Sequence, residues 1–187
     1  MNGIDDLIQD ATRRMDKSVE STQVEFNTIR TGRASAALLD RITVQYYGQA
    51  TPLKQLATIN VPEPRMLTVQ PFDPSSIKDI ERAIQESDLG LTPSNDGKLI
   101  RLPIPQLTEE RRNELVKIVR QLAEEGRVAV RNVRRDLMHH LKDLVRDGDV
   151  GDDEERRAEE RAQKLTDEHT GKIDDLLKRK EAEITEV

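Results

Sequence analysis

Residues 107–147 of the 187-residue chain read LTEERRNELVKIVRQLAEEGRVAVRNVRRDLMHHLKDLVRD. Apolar side chains recur there at steps of three and four, the spacing of one face of an α-helix. They are Leu115, Ile118, Val119, Leu122, Ala129, Val133, Leu137, Leu141 and Leu144. Thr108 is a suitable N-cap, and the two glutamates after it favour a first turn. At about 1.5 Å rise per residue, the predicted helix is about 60 Å long and implies an elongated domain.

Two further segments have helical spacing. Residues 1–29 carry apolar or small side chains at steps of three and four, and a third pattern follows a turn at residues 147–152. The aromatic residues of the chain are Phe26, Tyr46, Tyr47 and Phe72. Because aromatic bulk is so scarce, the helices are expected to pack through a thin aliphatic seam. The three segments predict an elongated antiparallel three-helix bundle.

Gly126 lies near the middle of the longest predicted helix, where glycine costs up to about 1 kcal/mol relative to alanine. Two interpretations remain open. The glycine could permit close approach of another helix or a slight bend. It could equally be a tolerated surface residue.

The segment between the first two helices alternates apolar and polar side chains, as strands do. The predicted strands cover residues 42–47, 56–61, 66–69 and 99–102, and a short helix covers 76–87. The fold class is therefore predicted to be α+β, with a small α/β domain inserted into the bundle. The bundle is assigned residues 1–30 and 106–187, and the inserted domain residues 31–105.

The chain crosses between these predicted domains twice. One crossing runs through Arg30, Thr31, Gly32 and Arg33, and the other through Pro103 and Pro105. A glycine on one connection and prolines on the other would permit a hinge of limited range. We therefore expect an L-shaped molecule with a two-segment hinge.

The residues that most catalytic and metal sites require are missing or badly placed. The chain has no cysteine, which excludes disulfides and thiolate sites. His139 and His140 are adjacent and lie about 100° apart on a helix, and His169 fits a satisfied, partly buried histidine. The acidic residues 152–155 lack the spacing of a calcium loop and fit a helix start. We expect no enzymatic activity, no cofactor and no metal.

Nothing in the sequence predicts a membrane or export signal. No run approaches the roughly 18 apolar residues of a membrane span. Asp5, Asp6 and Asp10 stand where a secretion signal would be apolar. We expect a cytoplasmic protein with no membrane partner.

Basic residues concentrate on the longest predicted helix. Residues 111–135 hold eight Lys and Arg against three Glu, a local charge of +5 in a chain of net charge −6. At about 100° per residue, four arginines fall within a band about 60° wide, turned away from the apolar face. They are Arg120, Arg127, Arg131 and Arg134, with Lys117, Arg135 and Lys142 along the edge. We expect these side chains to face outward, free of carboxylates of the same chain.

This arginine band favours a polyanionic partner over a merely solvated surface. Arg127, Arg131 and Arg135 follow one another at i,i+4 and repel unless neutralised. Few aromatics are available to stack on single-stranded bases, so the expected partner is structured RNA or DNA held through its phosphates. Two alternatives are a coiled-coil adaptor that binds an acidic protein and, with less support, a hydrolase or transferase using Tyr46 and Tyr47.

The chain resembles the bacterial ribosome recycling factor family over essentially its whole length, and six short stretches carry the resemblance. They are IRTGRAS at 29–35, YYG at 46–48, SDLGL at 87–91, LTEERR at 107–112, VAVRNVRRD at 128–136 and KEAE at 180–183. Each stretch alone is a weak match, but six in order are highly specific.

The resemblance implies a three-helix bundle joined by a hinge to an α/β domain, with an outline like that of transfer RNA. Family members bind the 70S post-termination ribosome, mainly through large-subunit rRNA. With elongation factor G and GTP they split the subunits, so that mRNA and deacylated tRNA leave. We expect a monomer.

Particular residues inherit family roles through these matches. The rRNA-contacting arginines correspond to Arg112, Arg131 and Arg134, with Arg135 and Arg127 as neighbours. The α/β domain would contact elongation factor G. The hinge would be set by Arg30, Thr31, Gly32, Arg33, Pro103 and Pro105.

Overall fold

The computed structural model describes residues 3–186 and divides into two compact units. The first comprises Met1–Arg30 and Glu109–Val187, and the second comprises Thr31–Thr108. The α-helices, in chain order, are α1 (Ile4–Asn27), α2 (Ile77–Gln85), α3 (Glu109–Arg146) and α4 (Asp152–Thr185). Helices α1, α3 and α4 form the first unit, which confirms the predicted helical bundle.

The long helices begin close to where local chemistry predicts. Helix α3 has 38 residues with Glu109 and Glu110 in its first turn, so it is about 57 Å long. The acidic residues 152–155 occupy the first turn of α4, where carboxylates favour the positive end of the helix dipole. The predicted helix start there is confirmed.

Contacts between side chains give the helix directions. Arg14 of α1 pairs with Asp136 of α3 at 2.8 Å, and Thr22 lies beside Gly126, so these two helices run antiparallel. Asp16 of α1 contacts His169 of α4, while Asp5 pairs with Arg161. Helices α1 and α4 therefore run parallel.

The bundle core is narrow and built mainly of small and aliphatic residues. Helix α1 buries Ala11, Met15, Thr22 and Phe26. Helix α4 buries Ala158, Ala162, Thr166, His169, Ile173 and Ile184. Among residues 3–186, Phe26, at 1% exposure, is the only Phe, Tyr or Trp side chain in this core.

The buried face of α3 differs from the predicted one. Ala123 and Val130 are fully buried, whereas Leu122 and Ala129 are only half-buried. The mean direction of the residues that α3 buries is thus rotated about 30° around the helix axis from that of the residues expected on its apolar face. The rotation brings one edge of the arginine band towards α4.

His169 is a satisfied core histidine, as predicted. Its exposure is 2%, Nδ1 lies 2.7 Å from the Leu165 carbonyl oxygen, and Nε2 lies 2.6 Å from Asp16 Oδ1. Both ring nitrogens are therefore occupied within the bundle.

Gly126 marks a point where all three helices approach closely. A Cβ atom at this position would overlap the Thr22 hydroxyl and lie 3.1 Å from Ile173 Cδ1. The close-approach interpretation is confirmed, and the surface-residue alternative is wrong.

The second unit is an antiparallel α/β domain. Its strands are β1 (Thr43–Tyr46), β2 (Gln49–Pro52), β3 (Ala57–Glu63), β4 (Met66–Pro71), β5 (Ser94–Asn95) and β6 (Ile100–Pro103). Strands β1 and β2 form a hairpin, and the other four form a sheet in the order β3-β4-β6-β5. Helix α2 buries Ile77, Ile80 and Ile84 against this unit. The bundle and this small domain together confirm the predicted fold class.

Two strands were not predicted, and three, β3, β4 and β6, end later than expected. Strand β2 has no buried residue and β5 has only two residues, so neither produces an apolar alternation. Strand β3 continues through Pro62, which is tolerated because β3 lies at the sheet edge. No helix within residues 3–186 is long and apolar enough to cross a membrane.

Gly126→Ala should lower the free energy of unfolding of the bundle by about 1 kcal/mol. Overpacking costs about 1–3 kcal/mol, and the better helix propensity of alanine returns up to about 1 kcal/mol. Gly171→Ala in α4 is the matched control, because its Cβ meets nothing within 4 Å and should stabilise. Urea denaturation of both variants measures the contrast. Equal stabilisation by both substitutions would contradict the close approach.

Candidate nucleic-acid interface

Two arginines of the predicted band are held by carboxylates of α4. Arg120 Nε donates to Glu181, which raises the pKa of Arg120. Arg127 Nη1 donates to Asp174 Oδ1 at 2.7 Å, and the Arg127 side chain is only 21% exposed. The expectation that the whole band is free of carboxylates is therefore wrong. The acid-rich α4 packs against the rotated face of α3 and neutralises this edge.

Glu124 neutralises the repulsion expected along α3. Its carboxylate accepts from Arg127 Nε at 3.0 Å and from Arg131 Nη2 at 2.6 Å. These hydrogen bonds, first that of Arg127 and then that of Arg131, lower the pKa of Glu124. The predicted uncompensated repulsion among Arg127, Arg131 and Arg135 is wrong, because one carboxylate lies between two of the three.

Arg134 lies at the α3–α4 boundary and is half-buried. Its Nη1 donates to Oε1 of Gln163 on α4. Its Nε is buried and has no hydrogen-bond partner within residues 3–186. The side chain thus packs its inner edge against the bundle, which corrects the expectation that it points wholly outward.

Arg135 lies on the open face of α3. The side chain is exposed and makes no side-chain hydrogen bond or ion pair within the described residues. Arg135 borders an open depression of about 440 Å³. The depression is lined by Val128, Arg131, Asn132, Arg134, Arg135 and Met138. Three arginines therefore border one shallow surface.

We call Arg131, Arg134 and Arg135 the arginine cluster. The three residues span little more than one helical turn, so their charges act on the same few phosphate groups. Arginine can donate two parallel hydrogen bonds to a phosphate. The cluster retains that capacity, because none of its members is enclosed by carboxylates on both sides as Arg127 is.

Arg112 does not join the cluster. It is half-buried near the start of α3, about 33 Å along the helix axis from Arg134. Any role it has must concern a different part of a partner.

The chain passes between the two units after Arg30 and again after Thr108. Gly32 has φ +76°, and a Cβ there would lie 3.1 Å from Leu107 Cγ. Pro103 pairs with Met66 in the sheet, and Ile104 is buried in the second unit. The second unit continues to Thr108, so the second crossing lies beyond Pro105.

Tyr46 of the tyrosine pair is hydrogen-bonded to a carboxylate of the second unit. The Tyr46 hydroxyl donates to Asp73 Oδ2 at 3.0 Å, and this hydrogen bond raises the pKa of Tyr46. A less acidic phenol is a poorer nucleophile or general acid at neutral pH. Within residues 3–186, no group of His, Asp and Glu is arranged to hold a metal ion.

Four partners of the arginines were missed from the sequence: Glu124 on α3, and Gln163, Asp174 and Glu181 on α4. Glu124 stands three residues before Arg127 and seven before Arg131, a spacing that indicated the contact. Gln163 belongs to another helix, and only the packing of α3 on α4 brings it to Arg134.

Comparisons with known proteins agree on one family. The family model described as ribosome recycling factor matches residues 22–185. The ribosome-recycling factor of Rubrobacter xylanophilus is 58% identical over 187 residues, all of both chains. That of Synechocystis is 60% identical over 173 residues, 92% of this chain and 95% of the relative.

Solved structures give the same result. A solution structure of the ribosome recycling factor has TM-score 0.70 and 43% identity, covering 98% of both chains. A second structure, 48% identical with TM-score 0.62, covers 97% of this chain and 98% of the other. This second structure contains models for the T. thermophilus ribosome recycling factor and the E. coli elongation factor G bound to the E. coli post-termination complex.

Glu124→Gln should remove a stabilising contribution that depends on pH. The folded-state pKa of Glu124 is lowered from 4.5, so its ionised form stabilises the protein above about that pH, and the effect is lost as pH falls through the folded pKa. The stability difference from wild type should therefore shrink on acidification below pH 4.5, measured by urea unfolding. Glu125→Gln is the control, because Glu125 accepts from the neutral Gln121 amide. A difference that stays constant on acidification would refute the role of Glu124.

Proposed function

The chain belongs to the ribosome recycling factor family, and from this premise we propose that it recycles ribosomes after translation termination. It binds the post-termination ribosome and, with elongation factor G and GTP, separates the subunits so that mRNA and deacylated tRNA leave. The structure of a relative bound with elongation factor G on such a complex supports this proposal. The chain itself makes or breaks no bond in a substrate, and it acts as a monomer in the cytoplasm.

The arginine cluster is the proposed contact with large-subunit rRNA. The single observation that carries this assignment is Arg134, which borders the open depression of α3 and keeps Nη2 without a hydrogen-bond partner within residues 3–186. Arg131 would exchange its bond to Glu124 for one to a phosphate, while Arg135 is already available. Arg127 serves chiefly to hold α3 against α4, because it is paired on both sides. Arg112 would touch a separate rRNA segment.

The second unit is the proposed contact for elongation factor G. A push on this unit would be transmitted through the two chain crossings to the bundle, whose long helices resist bending. Gly32 and Leu107 lie against each other at the base of the unit, which would hold the two crossings together. The hinge would then act between this pair and the ends of α1 and α3.

Arg134→Met should weaken binding to post-termination ribosomes about 10- to 100-fold, because hydrogen bonds to charged groups are worth about 1.5–3 kcal/mol. Methionine keeps an apolar stem and removes the unpartnered buried Nε–H, so the fold should persist. Co-sedimentation measures binding, and a splitting assay with elongation factor G and GTP measures recycling.

Arg156→Met is the control for this substitution, since Arg156 lies near the start of α4 and is 73% exposed. It should leave binding and splitting near wild type. Normal subunit splitting by Arg134→Met at physiological salt would overturn the rRNA contact.

Gly32→Ala should reduce subunit splitting while leaving ribosome binding through the arginine cluster intact. Alanine is strained at φ +76° and would also press on Leu107. Gly90→Ala is the matched control, since Gly90 has φ +68° and open space around it. Equal splitting by the two variants, measured at saturating protein, would exclude a role for the Gly32–Leu107 contact.

A further inference from the structure

We propose that Gln163 of α4 is a positioning residue that holds Arg134 in the orientation needed to receive an rRNA phosphate, an inference that rests on the proposed function. Gln163 lies on a different helix from the arginine cluster. Its side-chain amide reaches Arg134 across the α3–α4 boundary. Its contribution is therefore to geometry and not to charge.

The guanidinium group of Arg134 is planar, and the burial of Nε together with one hydrogen bond from Nη1 fixes its plane. The Nε atom is buried against the bundle without a partner, and Nη1 donates to Gln163 Oε1. A buried N–H without a partner is costly, which favours the side chain swinging out into water. The Gln163 bond opposes that motion. With one edge fixed, Nη2 is left without a partner inside residues 3–186 and can donate to a ligand.

The orientation of the Gln163 amide is itself determined. Its Nε2 donates to Asp167 Oδ1 at 2.9 Å, one helical turn further along α4. Arginine can only donate and an ionised aspartate can only accept. A glutamine between them must therefore present its oxygen to Arg134 and its amide hydrogens to Asp167. The Gln163 amide carries both an acceptor oxygen and a donor NH2 group, so it satisfies Arg134 and Asp167 together.

Loss of this arrangement would cost affinity through disorder. A free arginine side chain samples many rotamers, and binding would then have to order it. In the folded protein that ordering is already complete. Loss of the Gln163–Arg134 hydrogen bond should therefore lower binding affinity only when Arg134 is present. This dependence distinguishes positioning from general stabilisation of the bundle.

The first test uses Gln163→Leu in the full chain, with vacant large ribosomal subunits as the probe. Binding should weaken about three- to tenfold, as expected for loss of one hydrogen bond. In an Arg134→Met background the same substitution should cause no further loss, since interacting residues are not additive. Gln23→Leu, whose amide bonds within α1 to Asn27, is the control and should bind as wild type.

The second test separates positioning from charge. Asp167→Ala and Asp167→Asn both remove one negative charge, but only asparagine keeps an oxygen that accepts from Gln163. Asp167→Ala should therefore weaken binding about twofold or more, while Asp167→Asn should not weaken it. A purely electrostatic effect would instead make both variants bind more tightly and to the same extent.

Three results would overturn the inference. They are wild-type binding by Gln163→Leu, losses from Gln163→Leu and Arg134→Met that multiply in the double variant, or identical behaviour of the two Asp167 variants. If Arg134→Met binds like wild type, the proposed rRNA contact fails and this inference fails with it. If Arg134→Met loses binding but Gln163→Leu does not, only the inference fails.

Discussion

The orientation of α3 about its own axis is the constraint on which the rest of the structure depends. It is set where the three helices approach most closely, at Gly126 with Thr22 and Ile173. Burial of Ala123 and Val130 on the same face fixes it further. This orientation turns Arg127 towards Asp174 of α4 and leaves Arg135 on the open face. The bundle core therefore decides which arginines can meet an outside phosphate.

The remaining cluster is prepared for a phosphate in different ways at each residue. Arg131 is ordered by its hydrogen bond to Glu124. A phosphate must displace this carboxylate, which lowers the net binding free energy that Arg131 contributes. Arg134 is ordered by the neutral amide of Gln163, so no negative charge competes with a phosphate for this arginine. In a chain of net charge −6, a small basic surface also restricts the orientations in which a polyanion is attracted.

The sequence was sufficient for the three long helices, because apolar residues at helical spacing over 24 to 38 residues are a strong signal. It was sufficient for His169 and for the acidic start of α4 as well. It was insufficient for the core direction of α3, since Leu122 and Ala123 are adjacent and both apolar. Only packing against α1 and α4 decides between them. For the same reason the contact between Arg134 and Gln163 could not be predicted, as it joins residues of different helices.

The most direct measurement of the central claim is the salt dependence of binding to vacant large ribosomal subunits. Wild type should be compared with a variant carrying Arg131→Met, Arg134→Met and Arg135→Met together. If the cluster neutralises rRNA phosphates, the logarithm of the binding constant should fall linearly with the logarithm of salt concentration. The slope of the triple variant should be shallower by about two to three units, because fewer counterions are released. Equal slopes for the two proteins would contradict the account.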